Sequence, residues 1–510
     1  GAVKNGVFNH SIFSQPLLTV IDDFMTPVLL TRNPLTITSK KSTLLCGFEK
    51  FYIKFMRRKK RIDMEQRKRY LFTNRDLTRL IAPLIVEQIL AVTVGMADTM
   101  MVSSAGEAAT SGVSLVDMIN NLIINVFAAV STGGAVVASQ YLGHEDRDKA
   151  RESANQLILI TGLIAVGIMV LCIVFRGGLL GALYQGVEAD VMRNALVYLV
   201  MSALSYPFLA VYNSCAALFR SMGNSEISMQ VSVLMNVINV AGNAFFIFGM
   251  KWGVFGAALA SLIARVIACV ILFIRLKNRK LVICIDSRIF AWNRKMIGKI
   301  LHIGIPGGVE NSIFQLGRIL VVSIIATFGT AQIAANAVAN NLDSMGVLAG
   351  QAMNLAMITI VGRCVGAGDY DQADYYVKKM MKLTYLINGI CCGVVLASLP
   401  LTLKLYGLSE ETLKLAAILV LIHDGMAIFL WPASFTLPNV LRAANDVKFP
   451  MITSILSMVV FRIGLSYVIG VGLGLGALGV WIAMVVDWIA RVSCFVGRYK
   501  SGKWKNLAAL

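Results

Sequence analysis

The chain has 510 residues, of which 57% are hydrophobic and only 15% charged. A water-soluble protein of this size needs roughly 25% charged residues to coat its surface, so the composition excludes a soluble fold and indicates a polytopic membrane protein. The formal net charge of +19 does not imply a nucleic-acid partner, because Lys and Arg are gathered in particular connectors, as they are in proteins that span a bilayer.

In chain order, residues 1–77 read as an N-terminal extension of polar or mixed character ending in the basic run MRRKKRIDMEQRKRY (56–70). They lack the charged n-region, apolar h-region and small-residue cleavage site of a secretory signal. Met64 is a candidate true start, which would leave 1–63 as an upstream segment without a core of its own. Twelve apolar spans follow, at 78–102, 113–139, 154–176, 194–216, 226–248, 253–275, 300–327, 334–362, 382–404, 413–438, 449–471 and 476–496. Each is long enough to cross a hydrocarbon core of about 30 Å as a helix. The division is a first lobe over 78–281, a linker over 282–299, a second lobe over 300–498 and a tail over 499–510. The nine cysteines sit mostly inside apolar runs, with no CxxC pair and no histidine at ligand spacing, so neither a disulfide framework nor a metal site is indicated.

The two lobes are copies of one another. PLIVEQ (83–88) over PGGVEN (306–311) sets an offset of 223, which aligns Gly106 with Gly329, Ala108 with Ala331, Gly143 with Gly366 and Asp146 with Asp369. At 222, LFRSMGNSEISM (218–229) falls on VLRAANDVKFPM (440–451) and pairs Arg220 with Arg442; at 223 again, GVFGAALA (253–260) falls on GALGVWIA (476–483). Six spans per copy return the chain to its starting side. The copies are therefore parallel repeats about a pseudo-two-fold along the membrane normal. The basic connectors (56–70, 143–153, 275–299 and the tail) share one face, which places both termini in the cytoplasm of a cell that carries the protein in its inner or plasma membrane.

Parallel repeats with intramembrane carboxylates, and without a nucleotide, metal or nucleophile motif, read as a secondary transporter and not an enzyme, because a carboxylate that can bind H+ or Na+ is the minimum equipment for cation coupling. The absence of GxxxxGK[ST] argues against ATP as the direct driver.

The residues also resemble the multidrug and toxic compound extrusion (MATE) transporters, bacterial type. The likeness runs from about residue 78 to the end. It rests on Pro83, Asp98 and Thr99 in the first span, the connector SQYLGHEDRDKARES, the paired FRSMGNSE and LRAANDVKFPM with Asn236 and Asn239 after the first of them, and GVFGAALA with GALGVWIA. The resemblance implies twelve transmembrane helices in two six-helix lobes around a central cleft. It also implies export of organic, cationic or amphipathic compounds by a monomer in exchange for H+ or Na+, with no other cofactor. Rival readings are a lipid-linked sugar flippase of the same broad superfamily, which would carry a more basic cavity and extra helices, and an intramembrane acyltransferase, for which His423 and Asp424 alone are poor support.

Asp98, 15 residues after Pro83, lies about 22 Å along its helix at 1.5 Å per residue. A carboxylate alternately wetted from each side can load and release a cation, and family members carry a matching acid implicated in coupling. The competing reading is an Asp capped by neighbouring Thr or Asn side chains. Its repeat mate is Val321, so symmetry alone does not require the charge. Glu87 and Glu310 are repeat mates that read either as cleft and coupling residues or as a symmetric pair satisfying backbone freed by the prolines. Some branches of the family place their seventh-helix acid eight residues after the proline, where this chain has Phe314. Arg318 is a candidate partner of Asp98 in one state and Asp343 in another, or of Asp343 permanently. Asp117, Asn120 and Asn121 match Asn340 and Asp343 as polar stripes expected to line the substrate cleft with Glu87, Thr99, Gln315 and Arg318, Asp343 also being a coupling candidate. His423 and Asp424 are weaker candidates, since the family's acid there lies nearer Leu430. Arg462 and Asp487 read as a structural pair between the last two spans.

Overall fold

The computed structural model describes residues 71–184, 187–286 and 291–507; the expectations for residues 1–63, Met64 and the basic run lie outside them. The described residues form helices and no strands, with twelve helices long and apolar enough to cross a membrane. These are α1 (Asn74–Ser103), α2 (Glu107–Gly143), α3 (Arg147–Val174), α4 (Ala189–Ser221), α5 (Ser225–Gly249), α6 (Gly253–Leu276), α7 (Arg294–Ala326), α8b (Leu348–Gly366), α9 (Tyr370–Lys404), α10 (Glu410–Ala443), α11 (Lys448–Gly472) and α12 (Gly476–Lys500). A helix too short to be counted, α8a (Thr330–Gly346), precedes α8b. Helices are the form this composition must take, because they satisfy every backbone donor and acceptor without water.

Caps set the boundaries that periodicity left open. Thr73 and Asp76 form a reciprocal capping box that starts α1 at Asn74. The Asn293 side chain accepts from the amides of Lys295 and Met296, at 3.0 and 3.1 Å, and starts α7 six residues earlier than the apolar run suggests. The eighth span is expected as one helix but breaks at Val347. Gly346 ends the first piece where a β-carbon would sit 2.9 Å from both carboxylate oxygens of Asp424. A short helix, Arg176–Leu183, also bridges α3 and α4 outside the expected spans.

The duplication extends to the backbone. Positive φ recurs at repeat-equivalent positions even where only one copy is glycine: Glu145 (59°) with Gly368 (70°), Lys251 (58°) with Gly474 (71°), and Asn445 (64°) with Gly223 (80°). The turn geometry is thus a property of the fold and the residue an accommodation to it.

The lobes meet at the end where both described termini lie, marked by Leu71 N donating to Gln372 Oε1 (2.8 Å) and Trp504 packed on Tyr370. There α2 packs on the first half of α7 and on α8b, and α1 packs on α8b. Glycines allow helix backbones to touch. A β-carbon at Gly143 would lie 2.1 Å from Arg363 O, and one at Gly366 would lie 2.0 Å from Gln140 O. Polar bonds fasten the same end: Gln140 Nε2 donates to Ala443 O (2.8 Å), Arg363 Nη2 to Ser221 O (2.7 Å), and Tyr376 Oη to Phe72 O (2.6 Å). After Leu84 the only buried residue of α1 is Val102, and Met96 and Met100 are exposed, as are Leu316 and Leu320 of α7. The glycine contacts and polar bonds between the lobes named above all lie at the terminal end, and the lobes separate toward the other.

This contact geometry predicts that Gly366→Ala cannot keep the terminal end closed. Hydrogen exchange of the amides at 136–143 and 360–367 is expected to speed up at least about tenfold, as local opening exposes them. Unchanged protection would show that the glycine contacts do not hold the lobes together.

Candidate functional site

In the N-lobe, Asp98 of α1 faces the last turns of α5. Asn243 Nδ2 donates to Asp98 Oδ1 at 2.8 Å. The Asn239 amide, with its nitrogen toward Asp98, donates to both carboxylate oxygens (2.7 and 3.0 Å), while its oxygen accepts from Ser261 Oγ of α6 at 2.9 Å. Asp117 of α2 accepts from Asn120 Nδ2 (3.2 Å) and from the Tyr198 hydroxyl of α4. Asn120 in turn accepts from Tyr206 Oη at 2.7 Å. Arg265 of α6, anchored to Ser205 Oγ at 2.6 Å, acts electrostatically on both acids, which repel one another. Counted formally, two carboxylates stand against one guanidinium in this pocket.

In the C-lobe, Asp343 of α8a, His423 and Asp424 of α10 converge. His423 Nδ1 lies 2.8 Å from Asp424 Oδ1 and 3.3 Å from Asp343 Oδ1. One donor atom from each lies within 4.8 Å of the others, close enough to hold a cation together. Both oxygens of Asp343 and Oδ2 of Asp424 are buried without a hydrogen-bond donor among the described residues.

Glu87 and Glu310 sit in equivalent ion pairs near the closed end. Glu310 Oε1 and Oε2 both accept from Arg442 Nη2 at 2.7 Å. Glu87 lies 3.8 Å from Arg220 and accepts from Ser228 Oγ at 3.5 Å. Arg462 and Asp487 approach to 3.9 Å, with Arg491 Nε closer to the same carboxylate at 3.1 Å.

Two expectations need correction. The matched stripes do not line the cleft as units. Asn120 and Asp343 are buried within their own lobes, whereas Asn121 and Asn340 are exposed, because a helical stripe wider than one residue straddles the boundary between lobe interior and cleft. Arg318 bonds neither Asp98 nor Asp343; it is exposed, while Asp343 lies 3.3 Å from His423. Thr99 Oγ1 bonds the carbonyl of Gly95 (3.0 Å) within its own helix, and Gln315 is half-buried on α7. Arg265, Tyr198, Asn243 and Arg491 are further members of these groups, outside the residues expected from the sequence. The two arginines carried a usable signal, since a lone Arg in the apolar runs SLIARVIACV and DWIARVSCF must have an interior partner.

The MatE family model matches residues 83–245 and 306–468, one match per lobe. An uncharacterized transporter of Bacillus subtilis, YisQ, is 30% identical over 439 residues, covering 84% of this chain and 94% of the relative. A probable multidrug resistance protein NorM of Thermotoga maritima is 24% identical over 445 residues, covering 86% and 94%. Among solved structures, a multidrug resistance MATE family transporter in an outward-facing conformation superimposes with a TM-score of 0.79 at 20% identity, covering 84% of this chain and 96% of its own. A MOP superfamily transporter from Pyrococcus furiosus gives 0.79 at 19% identity, with the same coverage.

The Glu310–Arg442 pair predicts a double-mutant signature. Arg442→Gln strands a buried carboxylate and is expected to cost about 3–5 kcal/mol, much of it recovered by adding Glu310→Gln. Denaturant unfolding of the purified variants in detergent reads both. Additive losses would mean that the two residues do not act as a pair.

Proposed function

The chain belongs to the MATE family of membrane transporters, and from that premise we propose that it exports amphipathic organic compounds in exchange for H+ or Na+ by alternating access. The observation that carries this reading is the N-lobe pocket, where Asp98 sits among amide donors from α5 and two carboxylates stand formally against one guanidinium. Such a pocket takes one small cation and becomes neutral. Neutralising an intramembrane carboxylate removes a cost of about 2.5–3.5 kcal/mol on insertion scales, which is enough to bias a conformational equilibrium.

The geometry supports the following cycle. With the terminal end fastened and the other end open, Asp98 is reached from the open side. Loading it with a cation weakens its pull on the Asn239 and Asn243 amides, frees α1 against α5, and favours the state in which the terminal end opens. Release of the cation there restores the charged pocket. The basic connectors support a plasma-membrane protein with that terminal end in the cytoplasm, acting as a monomer, so the open state described here faces outward. Asp343 with His423 and Asp424 is a second carboxylate site available for coupling, whereas Glu310, bonded to Arg442, suits a role in stabilising the closed end.

Dye efflux from proteoliposomes under an imposed proton or sodium gradient tests this reading. Asp98→Asn is expected to lower gradient-driven efflux at least about tenfold with folding intact, while Glu310→Gln retains most of the rate once stability is accounted for. Wild-type efflux from Asp98→Asn would overturn the assignment and move coupling to Asp343.

A further inference from the structure

The two lobes carry opposite charge where they correspond. In the N-lobe the α1–α5 interface holds Asp98 against Asn239. The repeat positions in the C-lobe are Val321 and Arg462, and Arg318 lies three residues before Val321. The acid of one copy is thus replaced by valine and its amide partner by Arg462, with Arg318 one turn earlier on the same helix as Val321.

The local bonds leave these arginines undersatisfied. Asp487 is the carboxylate beside them: its Oδ1 accepts from Arg491 Nε (3.1 Å) and from the Ser457 hydroxyl, and its Oδ2, which has no hydrogen-bond partner among the described residues, is the one carboxylate oxygen left facing three guanidinium groups. Arg491 further donates to Ser454 O at 3.2 Å. Arg462 reaches Asp487 only at 3.9 Å, and its buried Nε has no acceptor among the described residues. Arg318 has no ion-pair partner among the described residues, and its charge acts on Arg462 together with that of Arg491. It stands one helical turn beyond Phe314 on the same face of α7, and Phe314 lies 5.8 Å from the Arg462 guanidinium and 5.4 Å from that of Arg491. The other acids of this lobe do not neutralise the group: Glu310 is bonded to Arg442, and Asp343 and Asp424 converge on His423. The irregular stretch Met458–Gly464, wound with wide π-helical turns, presents Arg462, and such bulges commonly mark functional positions.

Resting on the export reading, we propose that Arg318 and Arg462 form the recognition site for an organic anion, a carboxylate, sulfonate or phosphate group carried on an apolar body. The guanidinium donors take the anionic head, a pairing for which Arg is suited by its planar fork. Phe314 and the Phe435 ring packed edge-on against it at 6.2 Å supply the wall for the apolar body. Asp98 thus offers a coupling cation its site in the N-lobe, and the arginines offer the anionic cargo its site in the C-lobe. This replaces the expectation of a cationic substrate.

Binding to the purified full chain in detergent separates this inference from the export reading. The probes are pyrenesulfonate and a pyrenyl trimethylammonium, which share an apolar body and differ in charge. Energy transfer from the C-lobe tryptophans, Trp431 and Trp488 beside Phe435, reads binding of either. Wild type is expected to favour the sulfonate at least about tenfold, and Arg318→Gln and Arg462→Gln each to remove most of that preference. Should Arg462→Gln fail to fold, the exposed Arg318→Gln decides alone. Equal or stronger binding of the ammonium probe by wild type, or an unchanged preference in Arg318→Gln, would overturn the proposal. Selective sulfonate binding without gradient-driven export in vesicles would instead sink the export reading and leave the anion site standing.

Discussion

The hydrocarbon interior offers a charge nothing but other protein groups, and the architecture follows from that constraint. Glu310 has Arg442, Glu87 has Arg220, and Asp487 has Arg491. These pairs fasten helices within each lobe and present no net charge to the cleft. Against that background, the groups left unmatched are conspicuous: the two carboxylates of the Asp98–Asp117–Arg265 pocket, Asp343 and Asp424 around a single His423, and the arginines around Phe314. A fold that balances most of its interior charge concentrates its capacity for ligands where the balance fails.

Duplication supplied two copies of the backbone, and divergence made the chemistry unequal. Turn conformations persist across the repeat even where glycine has been replaced, as at Glu145 and Lys251. Side chains at corresponding depths do not persist: Asp98 faces Val321, Asn239 faces Arg462, and Asn120 faces Asp343 across the offset of 223. The closed terminal end is nearly symmetric, with Gly143 and Gly366 in equivalent tight contacts. The scaffold that moves is therefore shared between the lobes, while the sites that bind belong to one lobe or the other.

Much of this was legible in the one-dimensional pattern. Span number, repeat offset and the proximity of Arg462 to Asp487 follow from hydropathy and spacing, because these are set by bilayer thickness and by the cost of an isolated charge. Helix starts at Asn74 and Arg294 were not, since single capping side chains, Thr73 and Asn293, decide them. Spacing also fixed which residues share a helix face without fixing what that face meets. Asn120 and Asp343 consequently lie inside their lobes when a cleft position was expected, and Arg318 lies apart from both acids. Finding Asn243 as the partner of Asp98 requires the packing of α5 on α1, which no local pattern encodes.

The central claim is that the N-lobe pocket carries one carboxylate charge that a small cation neutralises, and infrared difference spectroscopy of the reconstituted protein addresses it most directly. Stepping acidity or sodium concentration should alter a carboxyl stretching band that is present in wild type and missing from Asp98→Asn. Identical difference spectra from the two proteins would contradict the account.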